Sequence, residues 1–211
     1  MIVSHEHRFV FLKTRKTAGT SVEIALSRHC GPDDIITPIA EADESLRKDL
    51  GGKGPQNFES TSGGKPAFSH MQAPAVRRLV GAEVWDGYFK FAVERNPWGV
   101  VASSYRYSQR RPEWDQPFGD FVRSRRVAKL ARNQNIYRLR GEVAVDRVIL
   151  FESLAGDLAE LCDRIGLPAL DLPHAKASPD QRHYRELYAP SDVEVVREIF
   201  SDTIETFGYE F

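Results

Sequence analysis

The segment Lys13-Thr-Arg-Lys-Thr-Ala-Gly-Thr-Ser21 gathers basic, hydroxyl and small residues without interruption. It follows an apolar run rich in β-formers, Arg8–Lys13, and precedes a stretch in which Val22, Ala25 and Leu26 share one face at helical spacing. A strand–turn–helix order leaves unpaired backbone N–H groups and the positive end of the helix dipole facing the turn, where an anion is favoured. Lys16 adds a point charge. Thr17, Thr20 and Ser21 add hydroxyl donors, and Ala18 and Gly19 let the backbone come close. Phosphate or sulfate binding needs those groups. In the triphosphatase P-loop, Gly-x-x-x-x-Gly-Lys-[Ser/Thr], the lysine follows the second glycine. Here it precedes the glycine, and no Gly-Lys-Ser/Thr occurs, which disfavours an ordinary ATPase. The plainer alternative is a basic turn before a helix capped by Thr20 and Glu23.

The elements that would position this turn come from hydrophobic spacing. Tyr88–Glu94 reads as a second strand, followed by Asn96 as N-cap, Pro97 at the first helical position and a helix to about Tyr107. Arg95 sits at that second strand–helix junction. Ser103 stands eight residues later, and Arg95 could curl back across the helix start so that both grip one phosphate. Ser104 is the competing hydroxyl. Pro74–Val80 predicts a short helix, Phe118–Leu139 a basic helical stretch, and Arg147–Phe151 a third strand. A helix carrying Leu154, Leu158, Leu161, Cys162 and Ile165 stops at Gly166. A last helix is predicted from a Ser191/Glu194 capping box, with Val193, Val196, Phe200, Ile204 and Phe207 as its stripe. The N-terminus reads as loose. Residues 40–67, with glycines at 51, 52, 54, 63 and 64, read as a mobile insertion, either a lid or disordered, with a short helix near Glu44–Leu50. The expectation is one α/β domain over residues 1–211, a central parallel sheet flanked by helices.

These motifs resemble a known family. Lys16-Thr-Ala-Gly-Thr-Ser21 after a strand resembles the 5′-phosphosulfate loop of the PAPS-dependent sulfotransferases, closest to the carbohydrate-type and bacterial branch with its Pro-Lys-Thr-x-x-Thr-Ser; Arg15 stands where that branch usually has Pro. Arg95-Asn-Pro-Trp-Gly-Val-Val-Ala-Ser103 resembles the family's 3′-phosphate motif. Phe151-Glu-Ser-Leu, Gly166-Leu-Pro, Pro173-His-Ala-Lys, Tyr184-Arg-Glu-Leu-Tyr and Phe207-Gly-Tyr follow the bacterial branch's order. The resemblance implies a P-loop-like fold. It implies sulfuryl transfer from 3′-phosphoadenosine 5′-phosphosulfate (PAPS) to a hydroxyl or amine, PAP as product, and no metal. It assigns Arg15, Thr17, Ala18, Gly19, Thr20, Ser21, Arg95 and Ser103 to the donor. Lys176, Arg182, His183 and Tyr184 join them through a loop that closes over the cofactor.

Lys16 would offset charge on the leaving phosphate. The acceptor must lose a proton, and histidine titrates nearest neutrality. The resemblance favours His70 as that base, with a helix-capping histidine as the plainer role. Glu94 and Glu152 are the other bases at strand ends. His29 suits a helix C-terminus, and His174 and His183 fall near the cofactor loop. Tyr105, Tyr107, Arg110, Arg111 and Trp114 could stack on a sugar or pair with an anionic acceptor, or form a solvated basic face. Asn133, Gln134 and Asn135 are a further polar cluster at the acceptor wall. A nucleotide-dependent phosphotransferase and a non-catalytic anion-binding module are the rival readings.

Composition fits this picture. The net charge is −1, which argues against a nucleic-acid binder. The charge is segregated, with 11 basic against 3 acidic residues from Arg95 to Arg140 and 1 against 7 from Glu186 to Phe211. That pattern suits a compact anionic ligand rather than a polyanion track. The expected partner is a small-molecule or glycan acceptor. The 211 residues hold no long apolar run and no visible secretory signal. Cys30 and Cys162 offer neither a metal-ligand spacing nor a disulfide framework, so a cytoplasmic protein is expected.

Overall fold

The computed structural model describes residues 1–59, 65–173 and 182–211. The chain begins with a buried strand, β1 (Ile2–Ser4), followed by β2 (Phe9–Leu12), helix α1 (Gly19–Ser27) and β3 (Ile35–Ile36). Helices α2 (Glu41–Asp49) and α3 (Ala73–Gly87) lead to β4 (Phe89–Glu94) and α4 (Pro97–Ser108). Three short helical pieces come next: α5 (Phe118–Val122), α6 (Arg125–Leu130) and a 3-10 turn over Ala131–Ile136. A small hairpin of β5 (Arg138–Leu139) and β6 (Glu142–Val143) precedes β7 (Arg147–Leu150) and α7 (Leu154–Ile165). The chain ends in α8 (Pro190–Ile199) and α9 (Ser201–Phe207).

The main sheet runs β3-β1-β2-β4-β7. β2, β4 and β7 are parallel, while β1 is antiparallel to both its neighbours. The fold is therefore α/β, with a sheet parallel at its core and antiparallel at one edge rather than parallel throughout. Alternation along β2 divides the interior. Phe9 and Phe11 pack with Val22, Leu26, Phe91, Ile149 and Leu161 on one face. Val10 and Leu12 pack with Val76, Trp85, Ala92 and Tyr137 on the other. A third apolar cluster joins Trp98 and Val101 of α4 to Phe121, Val127, Val193, Val196 and Phe200.

Register positions the site. Leu12 pairs with Ala92, and Glu94 pairs with Leu150. The carboxyl ends of three parallel strands thus come level, and ligands of open α/β sheets bind beyond such ends.

Several local expectations are corrected. The N-terminus is not loose, because Ile2 and Val3 pair with Phe11 and Val10 inside the core. A three-residue strand is too short to display a period. The Thr20/Glu23 capping box does not form. Ala18 occupies the cap position in the left-handed region without a side-chain bond, and Glu23 is drawn into buried ion pairs. Phe118–Leu139 is broken helix followed by a hairpin, whose two-residue turn, Arg140-Gly141, has φ of 56° and 88° as a type I′ turn requires. The last helix is two helices that part at Phe200, and Glu194 pairs with Arg197 instead of capping Ser191. Residues 41–49 form α2, and Gln56 bridges to Ile36, so the described part of the 40–67 insertion is built into the fold. Residues 60–64 lie outside the description. Among the described residues, no helix is long and apolar enough to cross a membrane.

Candidate functional site

A cavity of about 1300 Å³ opens at the carboxyl ends of β2, β4 and β7. Its walls come from the turn at 13–21, the segment 38–40 with Asp43, Arg95 and the second half of α4, α6, the segment at 151–156, and Ser69 with His70. Residues distant in sequence meet there because the strand ends are level.

The turn carries φ of 66° at Lys16 and 61° at Ala18. Left-handed residues alternating with right-handed ones turn successive N–H groups to one side, as in anion-binding nests. Gly19 is required by a close approach: a Cβ there would lie 2.8 Å from Cγ of Lys13. Lys13 itself is turned away from ligand duty. Its ammonium pairs with the buried Glu23 carboxylate, which also accepts from the Met1 amino group at 2.6 Å and lies 3.7 Å from Arg47. Burial pushes the Glu23 carboxyl up, but these cations outweigh it and hold the pKa below the ordinary value. Lys16 also lines the cavity, with Nζ 4.3 Å from the Tyr107 ring centroid.

Arg95 follows the last residue of β4. Its guanidinium lies 4.0 Å from the Phe151 ring centroid, and Nη1 donates to the Lys16 carbonyl at 3.4 Å. A Cβ at Gly99 would come within 3.1 Å of Arg95 Nε, so the absence of a side chain there lets Arg95 fold back over the helix start. The cap expected at that start is present, with Asn96 Oδ1 accepting from the Trp98 amide at 3.1 Å. Among the described residues Arg95 makes no ion pair within 4.0 Å, although burial is the largest influence on its pKa and lowers it. Ser103 and Ser104 both line the cavity. Ser104 is buried, and its Oγ has no partner among the described residues.

His70 has φ of 65°. Its Nδ1 lies 2.8 Å from the Lys13 carbonyl, and since a carbonyl only accepts, Nδ1 carries the proton and Nε2 keeps its lone pair. Burial pulls the imidazole down to about 4. The bond to the Lys13 carbonyl opposes this, and the charges of Lys13 and Arg15 add to it. Three of the six non-glycine residues with positive φ among those described, Lys16, Ala18 and His70, line this one cavity. Strained backbone of that kind clusters at ligand sites.

Glu94 ends β4 behind the cavity wall. It accepts from Tyr137 Oη at 2.8 Å and from the Arg95 amide at 3.1 Å, and burial pushes its carboxyl up to about 7. A raised carboxyl favours the fold below about pH 4.5, and that contribution is lost as pH rises through 7. Glu94→Gln keeps both contacts by turning its amide group toward Tyr137. It is expected to remove the fall in thermal stability between pH 5 and 8, about 3 kcal/mol. Melting curves across that range are the check, and a slope unchanged from the native chain refutes the assignment.

Of the donor residues expected from sequence, Arg15, Thr17, Ala18, Gly19, Thr20, Ser21, Arg95 and Ser103 share the cavity with Lys16 and His70. Arg182, His183 and Tyr184 do not line it. The Arg182 carbonyl accepts from Arg106, His183 starts the 3-10 turn Tyr184–Leu187, and Tyr184 packs on Phe211. His174 and Lys176 lie outside the described residues. On the acceptor side only Tyr107 reaches the cavity. Tyr105 stacks against Phe118 and Phe121, Trp114 against Phe121, and Arg110 lies 5.8 Å from the Tyr107 ring centroid. Gln134 bonds to Thr203 at 2.6 Å and faces a separate small cavity. Three features escaped sequence reasoning: the buried Glu23 cluster, Phe151 as the platform under Arg95, and the row Arg125, Arg126, Lys129 along one wall. Only the last had a signal, the basic run itself.

Comparison with known proteins adds the following. No family model matches the chain. An uncharacterized protein of Archaeoglobus fulgidus is 36% identical over 121 residues, 56% of this chain and 99% of that protein. The chain belongs to the same family as that archaeal protein, whose name records no activity. Among solved structures, a sulfotransferase from Alicyclobacillus acidocaldarius is 18% identical, with a TM-score of 0.42 over 97% of this chain and 96% of that one. At that score the likeness carries no assignment.

Proposed function

We propose that the protein is a sulfotransferase that moves a sulfuryl group from PAPS to an acceptor hydroxyl or amine. The observation that carries this reading is the Arg95–Lys16 contact. It joins two candidate anion-binding motifs 79 residues apart into one cavity wall, where Arg95 feels the Glu152 carboxylate but makes no ion pair within 4.0 Å among the described residues. The residues fit the donor's charges: a nest and Lys16 for the 5′-phosphosulfate, Arg95 with Ser103 or the unpartnered Ser104 hydroxyl for the 3′-phosphate.

The donor supplies an activated sulfur whose leaving group is a phosphate oxygen. Lys16 stabilises the charge that develops on that oxygen as its bond to sulfur lengthens. His70 Nε2 takes the proton that the acceptor oxygen or nitrogen loses on bonding to sulfur. A bound polyanion also raises the pKa of His70, bringing a weak base toward the working range.

The test is thermal stabilisation by adenosine 3′,5′-bisphosphate. At 100 times its Kd it should add about 2.7 kcal/mol, or roughly 5–10 °C in Tm for a chain of this size. ADP and ATP should do markedly less. Equal or greater stabilisation by ATP would favour the phosphotransferase reading instead. His70→Ala is expected to lower the transfer rate about 10²–10⁴-fold while that stabilisation stays within a degree of native. An unaltered rate removes His70 from the mechanism.

A further inference from the structure

The cavity holds more positive charge than its loop motifs account for. Arg15, Lys16, Arg95, Arg125, Arg126 and Lys129 line it against the carboxylates of Asp43 and Glu152, while Lys13 is neutralised by Glu23. The last three of those cations belong to α6. On this helix Val127 and Leu130 point into the third apolar cluster, and Arg125, Arg126 and Lys129 are spaced to share the opposite side. Among the described residues none of these three side chains has an acidic partner. Like charges three and four residues apart on a helix oppose its formation, and among the described residues no carboxylate forms an ion pair with this row to offset that.

The row is held firmly against the reaction end of the site. Asn133, just beyond α6, donates to the Arg15 carbonyl at 2.8 Å and accepts from the Arg15 amide at 3.2 Å. Arg95 rests instead on Phe151 beyond β7. The α6 cations therefore flank the Lys16 turn from a different wall than the one assigned to the 3′-phosphate.

We propose that the acceptor is itself an anion, carrying carboxylate or sulfate groups near its reacting hydroxyl or amine, and that Arg125, Arg126 and Lys129 hold those groups. This rests on the sulfuryl-transfer reading and narrows its acceptor. Two negative charges spaced along the acceptor match cations one helical turn apart. A neutral acceptor would leave the row's charge unmatched beside an already cationic turn.

The test uses the intact chain saturated with adenosine 3′,5′-bisphosphate. Three hexasaccharide probes are titrated by calorimetry: uronate-containing, sulfated, and neutral N-acetylglucosamine. At least one charged probe is expected to bind ten or more times tighter than the neutral one. The comparison of uronate with sulfate then identifies the anionic group. Arg125→Glu, Arg126→Glu and Lys129→Glu combined should abolish the preference while leaving stabilisation by the bisphosphate intact, and the glutamine triple variant should weaken it. Equal binding of charged and neutral probes overturns the proposal. Loss of bisphosphate stabilisation in the triple variant also overturns it, because the row then serves the donor. If the bisphosphate fails to stabilise the native chain, the transfer reading falls, and the proposal with it.

Discussion

Lys16→Ala is expected to reduce sulfuryl transfer about 10²–10³-fold, the usual loss when one preorganised charge stabiliser is removed from a reacting oxygen. The fold should survive it. Lys16 already sits in the left-handed region, where alanine is no more strained, and its side chain lies at the cavity rather than in the core. Its ammonium is one of several groups around the donor. Arg95 and the backbone N–H groups of the turn remain, so stabilisation by adenosine 3′,5′-bisphosphate should shrink but persist. That split separates Lys16 from Arg95, whose loss should fall mainly on binding. The measurement is initial-rate transfer of labelled sulfate to whichever acceptor supports turnover in the native chain. Turnover near the native level would sink the role given to Lys16.

Glu23→Gln should have the largest effect on stability, about 3–5 kcal/mol, as breaking a buried ion pair from one side does. For a chain of this size that is about 10 °C or more in Tm. Glu23 is fully buried and answers the cations of Lys13 and Arg47 and the Met1 amino group, whose own pKa burial lowers to about 6. Glutamine leaves the Lys13 ammonium without a counter-charge in the interior, while Arg47 keeps its pair with Glu44 at 3.1 Å. The pH dependence has a definite sign. A carboxyl whose pKa is depressed in the fold adds stability above its unfolded value near 4.5, and that stability is lost as pH falls through the lower folded value. The variant should therefore lose part of the native chain's sensitivity to acid. Combining Glu23→Leu with Lys13→Met should recover part of the loss, since apolar replacement of a buried pair is often tolerated. Acid and thermal denaturation of the single and double variants decide the matter, and a shift under 1 kcal/mol for Glu23→Gln would refute the network's weight.

The elements with strong local chemistry were legible. Phe9–Leu12, Phe89–Glu94 and Arg147–Leu150 announce themselves by β-branched and aromatic runs, and Asn96-Pro97 marks a helix start that forms as read. That the turn at 13–21, Arg95 and Ser103 meet at one cavity was legible from their places at strand–helix junctions. What escaped depends on tertiary competition. Glu23 could cap Thr20 by spacing, but buried cations claim its carboxylate. Phe200 carries the right period for one long helix, yet its φ of −110° divides α8 from α9. Arg140-Gly141 reverses the chain just past the stretch expected to be helical and draws Arg138–Leu139 into a strand. Of the acceptor candidates, Tyr105 and Trp114 pack into the core around Phe121 and Gln134 faces a separate cavity, whereas Tyr107 and the α6 cations line the main one.

The Asn133–Arg15 bridge has a consequence for the order in which the protein comes into being. The support of the turn is local only in part: Lys13 and Glu23 stand 10 residues apart and Met1 and Glu23 stand 22 apart, but the His70 bond to the Lys13 carbonyl spans 57 residues and the Thr14 bond to the Val93 carbonyl spans 79. The Arg95 contact to Lys16 spans 79 residues, and the bridge spans 118. Chains emerge from the ribosome N-terminus first, and distant contacts must overcome the entropy of closing long loops. The turn therefore takes its final shape only once β4 is in place. The Asn133 wall is added after that, so a chain ending short of Asn133 would lack the bridge that holds Arg15.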